Sequence, residues 1–488
     1  MSQKDKFVSR WGFLAAAIGM AVGTGNIWRF PRMTAQYGGG VFILAYTCAL
    51  FLWSLPLLMS EMAIGRKTRL GPIGGFRDLL GKNFTWMGAW LVSVCMLITF
   101  YYSVVTGWCI KYFTLAMSGA FKPGVDTGAL WNAFHNNSWQ NLFFHFLSIS
   151  LCGLIIYKGI QSGVERVSKV MVPALFVFLV VAAVRAVTLA GAGQGLTYMF
   201  VPIWSKLGKP ETWLQAFTQS AWSTGAAWGL LFTYSVYTSR KEDISQNCIM
   251  VGFGDQTAAL LAGLAIIPTI FALSPDLESA HAAMESGNTG LTFISLAHLF
   301  PKMPAGFIVA PIFFLAMVFA AFTSLIAMVE VGVKTLMDAN WSRKTSTLLV
   351  VAGTFFLGIP SAVFPSFLDN QDWVWGVALL VSGFFIILAV RRHGAERVRT
   401  ELINPTADIK MGRWWSFIIT YLSPLIFLGL TGWWLYKGII DNPKSWWKPF
   451  SSFTTMTIIV QWALLMVVLL LVNKALAKWV KRPPEEVD

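Results

Sequence analysis

Charge is the scarcest property of this chain. Asp, Glu, Lys and Arg make up only 12% of its 488 residues, against 56% hydrophobic, about half the charged fraction of a soluble globular protein. That disfavours a water-soluble enzyme, and no nucleophile–base pair or metal-ligand constellation argues otherwise. Cysteine is also sparse: Cys48, Cys95, Cys109, Cys152 and Cys248 are scattered through apolar stretches. This excludes a disulfide framework or a cysteine metal site and leaves them as small hydrophobes. No linker or low-complexity tract divides the chain, so a single membrane domain is expected.

What is abundant is apolar sequence in runs of about 20 residues, the length that crosses a hydrocarbon core of about 30 Å as a helix. A β-barrel is excluded because barrel strands alternate polar and apolar residues over about ten positions, and stretches such as Thr454 to Val472 show no alternation. Hydropathy and turn residues predict an all-α polytopic protein with twelve spans, at 11–35, 40–65, 85–117, 140–157, 164–190, 212–240, 244–273, 305–338, 345–364, 371–392, 412–437 and 451–476.

The net charge of +14 is explained by topology rather than by nucleic acid. Of the 37 Lys and Arg, 26 fall in alternate loops and the tails, nine fall in the opposite loops, and Arg29 and Arg32 lie at the first span. Basic residues mark cytoplasmic loops, so both termini are expected in the cytoplasm, with tails at 1–10 and 477–488. The first apolar stretch has basic residues before it but no small-residue cleavage pattern after it, and is read as a retained helix.

Two spans are interrupted at corresponding places. Span one contains Gly23-Thr24-Gly25-Asn26, and span six contains Ser223-Thr224-Gly225-Ala226-Ala227-Trp228-Gly229. Glycine weakens helices, and unwound backbone at membrane depth is tolerated only where it lines a protein-enclosed cavity. Matched interruptions in two groups of five helices, 11–190 and 212–392, point to a secondary transporter with a site between inverted repeats; 412–476 then adds two helices.

The residues around the first interruption are distinctive. Trp28-Arg29-Phe30-Pro31, and then Tyr37-Gly38-Gly39-Gly40-Val41-Phe42, resemble the signature of the neurotransmitter:sodium symporter family, whose bacterial members have the LeuT fold. Arg32 departs from it, because the family usually has Tyr there. The similarity runs from Trp11 to the tenth span.

The resemblance implies two sodium ions. The first site maps to Ala21, Asn26, Ser223 and Asp255, and the second to the carbonyls of Gly19, Val22 and Ala320 with the hydroxyls of Thr323 and Ser324. Asp255 departs from the pattern, which has an amide there. A carboxylate at membrane depth is costly unless paired or protonated. The family balances the first sodium with chloride or a nearby acid; the position of that acid is Ala259 here, while Tyr46 and Gln219 of the chloride-site pattern are retained. Asp255 is therefore expected to supply the balancing charge itself, making transport independent of chloride and open to proton counter-movement.

The same resemblance implies an amino-acid substrate. Its carboxylate would meet the free N–H groups at Gly23 and Gly25 and the hydroxyl of Tyr102; monoamine carriers have an aspartate in place of Gly23. The side-chain pocket maps to Ile98, Val105, Trp222, Gly225, Trp228, Ser324 and Met328, which hold no charge and suit a neutral side chain. Two tryptophans would fill volume there and Gly225 would open it. Arg29 and Asp372 map to the outer gate, and Lys4, Tyr237 and Asp338 to the inner latch, with Lys4 replacing the usual arginine. Gly163 and Pro173 resemble a motif at which the fifth helix unwinds. Glu61 matches a buried acid with a structural pairing role.

The leading expectation is a sodium-coupled importer of a neutral amino acid, a monomer or homodimer in a bacterial inner membrane. An amino-acid-binding membrane sensor that retains the site without transport is the alternative. An ion channel is disfavoured because the polar groups converge on one place rather than lining a continuous pore.

Overall fold

The computed structural model describes residues 5–449, 451 and 453–481. It is helical throughout, with no strand among the described residues. We number the principal helices α1 (Arg10–Ala21), α2 (Thr24–Gln36), α3 (Gly40–Thr68), α4 (Lys82–Met117), α5 (Ser138–Tyr157), α6 (Ile160–Val187) and α7 (Pro210–Ser223). These are followed by α8 (Leu230–Ser235), α9 (Ile244–Leu273), α10 (Gly306–Met337), α11 (Arg343–Val363), α12 (Pro365–His393), α13 (Arg413–Asp441) and α14 (Thr455–Trp479). Ten of them are long and apolar enough to cross a membrane. The remaining four form two pairs, α1/α2 and α7/α8, in the places expected for spans 11–35 and 212–240.

The interruptions have local causes. Ser9 caps α1 by accepting a hydrogen bond from the Gly12 N–H at 3.0 Å. The helix stops where Val22 and Gly23 turn extended, and α2 restarts with the Asn26 amide oxygen accepting from the Gly23 N–H at 3.0 Å. Between α7 and α8 the chain passes through left-handed backbone at Gly225 (φ 69°), Ala227 (φ 71°) and Gly229 (φ 80°). Glycine adopts that conformation freely, whereas at Ala227 it costs about 1–2 kcal/mol. Glu61, fully buried on α3, restores what the break removes: its carboxylate accepts from the N–H of Gly229 at 3.3 Å and of Phe232 at 3.4 Å, so a side chain from another helix caps α8. This gives the expected structural acid a specific task.

Helix α10 runs through the centre and packs on α1, α4, α6 and α11. α14 is peripheral, with 22% of its apolar window buried. Hydropathy set the start of the tenth span at 371, but α12 begins at Pro365. Its first turns carry Asp369, Asn370, Gln371 and Asp372, which depress the apolar signal; Asp369 and Asp372 face a cavity, while Asn370 accepts from Gln461 and Gln371 from Trp375. Helices at Thr127–His135, Ala192–Phe200 and Leu277–Glu285 lie in the connections. The segment from Gly163 to Pro173 is helical, opening with a π-turn over Ile160–Glu165; no unwinding is present there.

Candidate functional site

Both interruptions open on one cavity of about 510 Å³. Its floor and walls include Ala21, Gly23, Gly25, Tyr102, Val105, Trp222, Ser223, Gly225, Trp228, Ser324 and Met328. Ile98, expected among them, is buried but does not line the cavity; on α4 it lies one turn before Tyr102, toward the closed end of the bundle. From this floor the cavity extends past Arg29 and Arg32 on α2 and Asp372 and Asp369 on α12 to Pro365, His135 and Asn288. It therefore reaches the face opposite the N-terminus.

Asp255 is the centre of a compact polar cluster at zero exposure. One carboxylate oxygen accepts from the Asn26 side-chain amide at 2.6 Å, and the other from the hydroxyls of Tyr46 and Ser223, each at 2.8 Å. The two hydroxyls are themselves 2.8 Å apart. Asn26 also donates to the Asp255 carbonyl at 3.2 Å. Asp255 therefore joins Asn26 and Ser223 of the expected first sodium site to Tyr46 of the chloride-site pattern, while Ala21 lines the adjoining cavity. Gln219 stands apart from this group, donating to the Gly25 carbonyl at 3.4 Å and accepting from Arg29. The donor set suits a hard cation, because one carboxylate, one hydroxyl and the carbonyls released at the break offer the oxygens such an ion needs.

At the second site, Thr323 donates to the carbonyls of Phe319 at 2.9 Å and Ala320 at 3.2 Å, and Ser324 donates to the Met20 carbonyl at 3.3 Å. A hydroxyl that gives its proton to a carbonyl keeps its lone pairs as acceptors, so this back-bonding is compatible with cation ligation. The helices meet closely here: a Cβ on Gly19 would lie 3.0 Å from Thr323 Cβ and 2.8 Å from Val172 Cγ2. Side chains at Gly19 are excluded, and α1 lies against α10 and α6.

The residues expected to hold a substrate carboxylate present mainly backbone. The Tyr102 hydroxyl accepts from the Thr24 N–H and hydroxyl, both at 3.3 Å. A Cβ on Gly25 would meet nothing within 4 Å, whereas one on Gly23 would lie 3.0 Å from Ser324 Oγ and 3.2 Å from Tyr102 Oη. Gly23→Ala is thus expected to raise the KM of a transported solute by about fivefold to 100-fold while leaving helix content unchanged, since about 1–3 kcal/mol of steric penalty falls beside Tyr102 and Ser324; uptake kinetics and circular dichroism check this. Trp222 and Trp228 pack edge to face with centroids 5.1 Å apart. The Trp222 indole occupies the space that Gly376 leaves, where a Cβ would approach it to 2.6 Å. Gly225 lines the cavity, but its left-handed backbone is what calls for glycine there.

The two residues expected to form an outer gate do not meet. The Arg29 guanidinium donates to Gln219 at 2.5 Å and Gln215 at 2.7 Å, while Asp372 accepts from the Tyr101 hydroxyl at 3.0 Å. No ion pair joins Arg29 to Asp372 among the described residues.

The inner latch differs from expectation. Lys4 lies outside the described residues. Tyr237 and Asp338 are both buried but do not bond each other: Asp338 accepts from the Gly71 N–H at 2.7 Å and pairs with Lys334, and Tyr237 donates to Glu330 at 2.5 Å. Glu330, at zero exposure, accepts from both terminal nitrogens of Arg343 at 2.9 Å, and Arg343 also pairs with Asp5 at 2.5 Å. Phe7 donates its N–H to the Tyr237 carbonyl at 3.1 Å and packs on Phe13 and Tyr234. The N-terminal face is thus closed by Asp5, Tyr237, Glu330 and Arg343. Sequence reasoning named Tyr237 but missed Asp5, Glu330 and Arg343, although an acid inside the apolar run 306–337 was a visible signal.

Over residues 4–135 and 132–481 the chain matches the sodium:neurotransmitter symporter family, and it belongs to that family. An uncharacterized sodium-dependent transporter of Methanocaldococcus jannaschii is 30% identical over 443 residues, covering 87% of this chain and 89% of that protein. The uncharacterized sodium-dependent transporter YhdH of Bacillus subtilis is 29% identical over 453 residues, covering 88% and 98%. The crystal structure of MhsT in complex with L-phenylalanine has a TM-score of 0.78 at 29% identity, covering 88% of this chain and 99% of MhsT. The family is one of membrane transporters, so the chain is not an enzyme, and its helical architecture is that of a LeuT-fold neighbour.

Proposed function

We propose that the protein is a sodium-coupled symporter that imports a neutral amino acid by alternating access, with two sodium ions and no need for chloride. The observation that carries this reading is the convergence of both helix interruptions on one cavity, with the backbone of Gly23 and Gly25 beside Tyr102 and the Asp255 cluster adjoining it. The Gly23 N–H is taken by the Asn26 amide oxygen, so the Gly25 N–H and the Tyr102 hydroxyl are the groups that suit a carboxylate, and Asp255 brings the negative charge that a sodium ion needs in a medium of low dielectric. Sodium-dependent relatives and the amino acid held by MhsT support the same assignment. In this reading α1/α2 and α7/α8 each count as one broken span, which makes twelve, and the first ten helices form two inverted groups of five. Both termini lie in the cytoplasm of a bacterium, and the arrangement described above is outward-open.

Uptake of labelled amino acids into proteoliposomes tests this directly. A sodium gradient is expected to drive accumulation of at least one neutral amino acid, potassium is not, and exchange of chloride for gluconate should leave the rate within about twofold. No sodium-driven uptake of any of the twenty amino acids would overturn the transport assignment, and uptake that stops in gluconate would overturn chloride independence. A competition panel of small, branched and aromatic amino acids then fixes substrate size.

A further inference from the structure

The mouth of the cavity carries two arginines facing two aspartates. Arg29 and Arg32 are three residues apart on α2, and Asp369 and Asp372 are three apart on α12; all four line the same space. Three residues of helix rise about 4.5 Å and return to nearly the same face, so the spacings match. The chain directions match as well. α2 runs from the interruption outward, placing Arg29 deep and Arg32 near the mouth, while α12 enters at Pro365, placing Asp369 near the mouth and Asp372 deep.

At present the guanidinium groups rest on neutral amides, Arg29 on Gln215 and Gln219, and Arg32 on Asn288 at 3.0 Å. Asp369 and Asp372 are exposed to the cavity. Closing the mouth to join Arg29 and Asp372 would strip water from Arg32 and Asp369 too, and a desolvated charge is tolerated only with a partner. A carboxylate is a stronger partner for arginine than an amide.

We propose that Arg32 and Asp369 form a second outer latch, one turn above the pair Arg29–Asp372, so that the outer gate closes as two parallel ion pairs. Arg32 is thereby a positioning residue, and its departure from the family signature has a counterpart in Asp369. The proposal rests on the transport reading above, since it needs a gate that closes.

The test uses the full chain in nanodiscs with Thr218→Cys, a half-exposed cavity position, as reporter for a hydrophilic maleimide. The probe is sodium chloride with an equimolar mixture of the twenty amino acids. The otherwise unaltered protein should be labelled about tenfold more slowly with the probe than in potassium chloride. Arg32→Asp and Asp369→Arg should each abolish most of that protection, the double exchange should restore it to within about threefold, and Arg32→Lys should retain about half of it. Equal protection in all variants, or a double exchange no better than the single ones, overturns the latch while leaving transport standing. Absence of protection in the protein with native gate residues strikes at the transport reading and takes the latch with it.

Discussion

Asp255→Asn is expected to turn chloride-independent uptake into chloride-dependent uptake. The carboxylate holds Asn26, Tyr46 and Ser223 together at zero exposure, and its replacement by an amide keeps the shape but removes the charge. A sodium ion bound there would then be unbalanced, and leaving one member of a buried charge pair alone costs about 3–5 kcal/mol. At about 1.4 kcal/mol per factor of ten, uptake in gluconate should fall by about 100-fold or more. With the new amide oxygen held by Asn26, its NH2 would face Tyr46 and Ser223, whose hydroxyls lose their acceptor, and these donors together offer a fitting site for an anion beside them. Chloride should therefore restore much of the rate in the variant and change little in the parent. Rates that fall equally with and without chloride would show that Asp255 has another task.

Glu330→Ala is expected to loosen the N-terminal face. Arg343 would keep Asp5 but lose both hydrogen bonds to the buried carboxylate, and Tyr237 would lose its acceptor. The same order of energy, about 3–5 kcal/mol, corresponds to an opening equilibrium shifted by about 100-fold or more. Hydrogen exchange in residues 5–14 reads this, because amides protected only by local closure exchange in proportion to the open fraction. Glu330→Gln keeps one of the two acceptor oxygens and no charge, and should fall between. Unchanged exchange in Glu330→Ala would mean that Phe7 and the aromatic packing on Phe13 and Tyr234 close this face without the ion pairs.

Much of the site was legible because its residues cannot be hidden by an apolar background. Asn26, Ser223 and Asp255 are polar residues inside apolar runs, and the glycines of both interruptions break a helical pattern that continues on either side. What could not be read was pairing. Tyr237 and Asp338 map with Lys4 to one latch, yet each is bonded elsewhere, Tyr237 to Glu330 on α10 and Asp338 to Lys334 on α10 and to the Gly71 N–H in the turn after α3. Arg29 and Asp372 line one cavity while bonded to neighbours on other helices. Which partner a long side chain takes depends on distances of a few ångströms between separate helices and on which conformational state the bundle occupies, and neither is encoded in local spacing.

The amino-acid sequence by itself determined that this is a helical membrane protein, that two of its spans are broken, and that an acid stands at membrane depth. These follow from composition and periodicity, since each apolar run must bury its own backbone hydrogen bonds and glycine must interrupt them. Only the tertiary structure decided that both breaks share one cavity, that Glu61 caps the second of them, and that Asp5, Tyr237, Glu330 and Arg343 close one face while at the other Arg29, Arg32, Asp369 and Asp372 form no ion pair with one another. Those are relations between elements far apart in the chain, and helix packing alone sets them.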